Sequence, residues 1–95
     1  MYKVELSFDP NGLDQEVLDK LYAKTDEIFA SEDLECLDKL PIRVYIDKGR
    51  KQDYGRFWAA IFALKESSGL SEHLKECIWY NGAQQENLIT EFLRN

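Results

Sequence analysis

Residues 54–64, which read YGRFWAAIFAL, form the longest nearly uncharged apolar run of the chain. Five of these eleven residues are Tyr, Phe, Trp or Ile, and three are Ala. A buried aromatic side chain removes roughly 150–250 Å² from water, so aromatics contribute strongly to any core that contains them. We therefore predict that this run is the central core element. Because no charged residue lies between Arg56 and Lys65, we also expect Trp58 to be mostly buried.

Two kinds of secondary structure fit this run. A helix capped by Asp53 would end at residues 67–69, where Ser-Ser-Gly follows the last apolar residue. A strand would instead pair residues 56–64 with residues 42–47 in a hairpin. The alanines and the length of the run favour the helix, whereas the aromatics and Ile favour the strand. The helix is the preferred interpretation, and the strand stays open as the alternative.

Alternation of apolar and polar residues predicts two strands, at residues 2–8 and 42–47. Between them, from residue 13 or 14 to about residue 30, apolar residues recur at helical spacing and predict an amphipathic helix. Its apolar stripe is Leu13, Val17, Leu18, Leu21, Tyr22, Ile28 and Phe29.

The other segments predict further helices. The leucines of residues 34–40 indicate a short helical turn or a loop, which Pro41 ends. Apolar residues spaced i, i+4, i+7 and i+8 from Leu70 predict a helix that Asn81-Gly82 stops. A last helix is predicted over residues 83–93. The predicted fold class is α+β: a small sheet of two or three strands, with residues 2–8 and 42–47 the surest, packed against three to four helices.

Length and composition predict one globular domain spanning residues 1–95. No stretch has the roughly 18–20 apolar residues that cross a bilayer, and the N-terminus lacks the apolar region of a signal peptide. Two cysteines, Cys36 and Cys77, are too few for a secreted disulfide framework, and both are predicted to be helical, partly buried and reduced. We expect a cytoplasmic protein, and its size suits a bacterial or phage origin.

Acidic residues are concentrated in the first forty residues, which hold eleven Asp and Glu against four Lys in a chain of net charge −6. This excess is larger than solubility requires. We therefore predict a non-catalytic accessory protein that binds another macromolecule, most simply a protein, through an acidic surface within residues 14–40. The partner-binding residues of this acidic stretch are Asp26, Glu27, Glu32, Asp33, Glu35 and Asp38.

A basic loop at residues 48–56 supports an alternative function. Its cations are Lys48, Arg50, Lys51 and Arg56, and aromatic residues follow directly. Basic side chains interleaved with aromatic ones can bind phosphates while the aromatic rings stack on nucleobases. The alternative is therefore binding of a polyanion or of single-stranded nucleic acid at this loop.

Sequence motifs for catalysis are absent. The single histidine, His73, is predicted to lie on a helix four residues before Cys77, which is weak evidence for a catalytic pair. One His and two distant Cys cannot form a zinc site of four Cys and His ligands, and the acidic turn at residues 9–12 does not fit a calcium loop. We expect no cofactor, no metal and no membrane partner. A small enzyme or ligand-binding domain is the third class, and a deep pocket lined by polar groups would be its first sign.

Overall fold

The computed structural model describes residues 1–38, 42–67 and 69–93. Its elements, in chain order, are strand β1 (Tyr2–Phe8), helix α1 (Gln15–Ser31), strand β2 (Glu35–Asp38), strand β3 (Arg43–Ile46), helix α2 (Asp53–Glu66), a 3₁₀ turn (Ser71–His73), strand β4 (Leu74–Asn81), strand β5 (Gln84–Asn87) and a short π-helix (Ile89–Leu93). No helix among these residues is long and apolar enough to cross a membrane.

The five strands form one antiparallel sheet in the order β2-β3-β1-β4-β5, so the fold is α+β. The element order from β1 to β4 is that of the split βαβ motif, and β5 extends the sheet at one edge. The prediction of two or three strands was wrong. Two of the five strands replace helices predicted in the second half of the chain, and β2 replaces the predicted turn or loop of residues 34–40.

One face of the sheet carries the core. Val4 of β1 lies opposite Tyr45 on one side and Trp79 on the other, and all three are buried. Phe29 of α1 stacks on Tyr45 with ring centroids 4.0 Å apart, and Phe57 of α2 contacts Trp79 at 5.3 Å. Both helices therefore pack on the same face, as the alternating pattern of β1 predicts.

Helix α1 confirms the predicted amphipathic helix, although its buried stripe differs. Thr25, Ile28 and Phe29 are buried, whereas Val17 is 41% exposed. Thr25 is tolerated in the core because its hydroxyl donates a hydrogen bond to the Leu21 carbonyl.

The central run forms helix α2, so the strand alternative was wrong. Phe57, Ile61 and Leu64 are buried on its sheet-facing side. The expectation that Trp58 is mostly buried is confirmed, although Trp58 lies at the margin of the core and Trp79 holds the deeper position.

The predicted helix over residues 70–81 is wrong because a β-bulge imitates helical spacing. Ser7 pairs with Glu76 and Phe8 pairs with Leu74, so one extra residue is inserted in β4. Buried Leu74 and Cys77 are consequently three residues apart, instead of two or four. The segment is the 3₁₀ turn followed by β4, and Cys77 lies in a strand rather than in a helix.

The predicted helix over residues 83–93 is wrong as well. Asn81 pairs with Gln84, and Gly82 and Ala83 form the two-residue turn between them. Of these two turn residues only Gly82 has a positive φ, +61°, which is the requirement of a type II′ hairpin turn. The Asn-Gly pair thus begins a hairpin, and only Ile89–Leu93 is helical.

The leucine-rich segment of residues 34–40 contains strand β2. Leu34 is buried before the strand, Cys36 lies in it, and Leu37 is 63% exposed. The rest of the predicted segment, Leu40 with the terminating Pro41, lies outside the described residues.

Candidate functional site

The fold brings the acidic stretch and the basic loop together. Arg50 lies between two carboxylates: its Nη1 is 2.6 Å from Oδ2 of Asp33, and its Nε is 2.8 Å from Oδ1 of Asp53. Its Nη2 also donates to the Asp33 carbonyl at 2.9 Å. The two segments that sequence reasoning treated as separate sites therefore bind each other.

Asp53 is the buried centre of this junction. Its Oδ2 accepts the backbone N–H groups of Lys48 at 2.7 Å and Arg50 at 3.1 Å. The predicted cap of α2 thus bonds backward to the loop instead of forward to the helix. Burial raises the pKa of the Asp53 carboxyl, but the two N–H donors and the Arg50 guanidinium outweigh burial and lower it overall.

Asp33 holds two of the loop cations. The Lys48 ammonium lies 2.9 Å from Asp33 Oδ1, and Arg50 binds the other carboxylate oxygen. These hydrogen bonds, that of Lys48 first, lower the pKa of Asp33 to about 2. Asp33 also has a φ of +57°, a conformation that Asp tolerates better than most residues.

The remaining loop cations differ from each other. Arg56 is half-buried, and its Nη1 donates to the Glu32 carbonyl at 3.2 Å. Lys51 is exposed, and within the described part of the chain it forms no ion pair.

Asp26, another residue of the acidic stretch, is also bonded within the molecule. Arg43 binds its carboxylate with two nitrogens, at 3.1 and 3.3 Å, and the Tyr45 hydroxyl donates a short hydrogen bond to the same group. Burial and this hydrogen bond raise the pKa of the Tyr45 hydroxyl well above its usual range. Asp26 thus fastens α1 to β3.

The rest of the acidic stretch remains at the surface. Glu27 and Glu35 are exposed, and Glu32 is half-buried. The side chain of Asp38 lies outside the described residues. Leu37, between Glu35 and Asp38, is the extra residue of a bulge in β2, which explains why an apolar side chain is 63% exposed there.

The second face of the sheet is not covered by any described element. Lys3 and Glu5 of β1 lie on it, with Ile46 and Val44 of β3 on one side and Tyr80 and Ile78 of β4 on the other. Tyr80 donates to Glu5 at 2.8 Å, and the Lys3 ammonium lies 4.4 Å above the Tyr80 ring. This face has one central amine, already engaged, so it lacks the free cations that hold a polyanion.

An aromatic cleft of about 390 Å³ is the feature that sequence reasoning missed. It lies between α2 and the β4–β5 hairpin, and its lining residues are Tyr54, Trp58, Trp79, Asn81, Gln84, Gln85 and Glu86. The sequence does contain a pattern that indicates this surface: Tyr54, Trp58 and Phe62 recur every four residues and form a second aromatic stripe on α2. Tyr54 and Phe62 are 46% and 50% exposed.

The predicted helix that would carry both His73 and Cys77 does not form. His73 ends the 3₁₀ turn, where its carbonyl accepts the Asp9 N–H at 2.8 Å, and Cys77 is buried in β4. Burial raises the pKa of the Cys77 thiol to about 12. Among the described residues, no three His, Cys, Asp or Glu side chains come close enough to hold a metal ion.

Comparison with known proteins gives no relative. No protein-family model matches the chain, and no curated protein or solved structure is significantly similar to it.

Proposed function

We propose that the protein is a non-catalytic accessory protein that binds a basic protein partner through the surface around β2. This surface consists of Glu35 and Leu37 of β2 and of Glu32 shortly before the strand, and we refer to it as the acidic edge. The observation that carries the proposal is Leu37, an apolar side chain that is 63% exposed beside Glu35.

The acidic edge has the composition of a protein interface. Interfaces combine apolar side chains that become buried with charged side chains that stay solvated at the rim. Leu37 supplies the apolar contact, and the carboxylates of Glu32 and Glu35 supply the charged rim. Such a rim accelerates association with a basic surface and selects against acidic ones.

The contact is expected to use side chains instead of strand addition. β2 has four residues, a bulge at Leu37 and a charge at Glu35. Each of these features disfavours pairing with a further strand. Asp26 and Asp33 do not belong to this surface, since Arg43, Lys48 and Arg50 already occupy their carboxylates.

The polyanion alternative at the basic loop has less support. Lys48 and Arg50 are bonded to Asp33 and Asp53, and Arg56 is bonded to the Glu32 carbonyl. A phosphate would have to displace these contacts, which leaves Lys51 as the loop cation that forms no ion pair among the described residues. Single-stranded RNA binding with a salt dependence as steep as several phosphate contacts require would favour the alternative.

The proposal includes a cytoplasmic location. It is supported by Cys36 and Cys77, which lie on strands separated by β3 and β1 and form no disulfide with each other.

Site-specific photocrosslinking in the native cell tests the proposed function. A photoreactive phenylalanine replaces Leu37, and the same group at Val17 serves as a control because Val17 is also exposed and lies in the acidic half. We expect a protein adduct from position 37 and not from position 17. The adduct should decrease in a Glu32→Gln/Glu35→Gln background, because the charged rim is lost.

A Glu66→Gln/Glu76→Gln background is the matched control, since it removes the same charge from exposed sites away from β2. Equal crosslinking from positions 37 and 17 would contradict the proposal. So would an adduct that both charge-reduced backgrounds weaken equally, because that would indicate a non-specific effect of net charge.

A further inference from the structure

The two edges of the sheet differ in their protection against pairing. At one edge, β2 is bulged and carries Glu35. At the other edge, β5 is equally short and carries Glu86, but it pairs with β4 in a regular register without a bulge and contains no Pro, Lys or Arg. All four β5 side chains are exposed. An edge strand without a bulge presents its outward N–H and C=O groups in a regular row, which is a template for a further strand, and no described strand occupies this one.

The hairpin geometry shows which backbone groups of β5 are available. Asn81 and Gln84 close a two-residue turn, and such a closing pair exchanges both backbone hydrogen bonds. Hydrogen-bonded and non-hydrogen-bonded pairs alternate along an antiparallel ladder, so Glu86 bonds to β4 and Gln85 does not. The N–H and C=O of Gln85 are thus directed away from β4, toward the free edge.

We propose that two copies of the chain form a symmetric dimer in which their β5 strands pair antiparallel across Gln85. This pairing joins two five-stranded sheets into one. It does not depend on the proposed function, because the acidic edge lies at the opposite end of each sheet.

The side chains select this register. With Gln85 opposite Gln85 of the second copy, Gln84 of each copy lies opposite Glu86 of the other. Gln84 and Glu86 both lie on the helix-bearing face, as their partners Asn81 and Trp79 in β4 show. An amide can donate to a carboxylate across the strands, whereas a pairing centred on Glu86 would place two carboxylates opposite each other.

The aromatic cleft supplies apolar surface next to this junction. Gln84 and Glu86 line the cleft together with Tyr54 and Trp58, so the cleft borders the free edge. The second hairpin would therefore lie beside Tyr54, which is 46% exposed in the single chain. Backbone bonds of one short strand are weak alone, and covering an exposed aromatic adds to them.

Sedimentation velocity and light scattering over a range of protein concentrations test the dimer. We expect the mass to rise with concentration from 11.1 kDa to twice that value. Gln85→Pro should keep the protein monomeric, because it removes the outward N–H without removing a bond to β4. Circular dichroism establishes that this variant is folded.

Two opposite substitutions at Gln84 test the register without changing the backbone. Gln84→Lys places an ammonium opposite Glu86 twice per dimer and should tighten association about 2- to 30-fold. Gln84→Glu creates two carboxylate contacts and should weaken association by a similar factor. Gln15→Lys and Gln15→Glu repeat the same charge changes at an exposed position of α1 and should have no effect.

Three results would overturn the inference. One is a protein that stays monomeric up to about 1 mM, where even weak complexes form. Another is a dimer that Gln85→Pro leaves intact. The third is a dimer that both Gln84 substitutions shift in the same direction, because the Gln84–Glu86 contact would then be absent and another surface would join the copies.

Discussion

Removal of the Tyr45 hydroxyl tests whether Asp26 is a structural residue and not a partner-binding one. Tyr45→Phe keeps the ring that stacks on Phe29, so no cavity forms and only the hydrogen bond to Asp26 is lost. A hydrogen bond to a charged group contributes about 1.5–3 kcal/mol. Arg43 continues to bind the same carboxylate oxygen, so Asp26 is not left unpaired. We therefore expect the lower part of that range, a loss of about 1.5–2 kcal/mol in the free energy of unfolding.

Urea denaturation followed by circular dichroism measures this loss. Tyr80→Phe is the matched control: its hydroxyl also donates to a carboxylate, that of Glu5, but on the uncovered face where water can replace it. We expect the control to cost under about 0.5 kcal/mol. A loss below about 0.5 kcal/mol for Tyr45→Phe, or equal losses for both variants, would refute the assignment of Asp26 to an internal role.

Three further predictions concern the core, the acid-base junction and the thiols. Trp79→Ala should cost about 3–5 kcal/mol of unfolding free energy and Trp58→Ala about half as much, because only Trp79 is fully buried; equal losses in denaturant melts would contradict the packing. Lys48 and Arg50 hold the pKa of Asp33 at about 2 instead of 3.8. The folded protein therefore takes up this proton at lower pH than the unfolded chain, so stability should fall between about pH 4 and pH 2. Asp33→Asn should lose less stability over that interval, and an unchanged pH dependence in urea melts would count against the junction. Burial and the raised pKa of Cys77 predict that a thiol reagent labels Cys36 first in the folded protein and both cysteines after unfolding; rapid native labelling of Cys77 would place it at the surface.

Strands β1 and β3 and helix α1 could be predicted because their patterns are regular. Residues 2–8 alternate without interruption, and α1 keeps its apolar period over more than three turns. Helix α2 was predicted as the preferred of two interpretations. The partial exposure of Trp58 was not predicted, because an uncharged run does not reveal that one side of a helix faces a cleft.

The helices predicted after α2 were wrong for identifiable physical reasons. The bulge at residues 74–76 replaced period two by a spacing of three between Leu74 and Cys77. Strand β5 has the sequence QQEN, in which no side chain is apolar, so its pairing depends on the hairpin turn and leaves no hydrophobic pattern. The candidate site could be predicted only as separate charge clusters. That Asp33 and Arg50 neutralise each other depends on contacts 17 residues apart in sequence, which composition cannot show.

The central position of β1 affects how the chain reaches this fold. Its neighbours are β3, which ends at Ile46, and β4, in which Asn81 pairs with Tyr2. Pairings between residues so distant in sequence raise the contact order and slow folding, whereas α1 can form locally within about a microsecond. Roughly 35 residues separate the end of β3 from the end of β4. At a synthesis rate of about 5–20 residues per second, β4 is therefore complete about 2–7 seconds after β3. For that interval β1 can pair with β3 only, so the edge of β1 that β4 covers in the finished sheet has no partner strand.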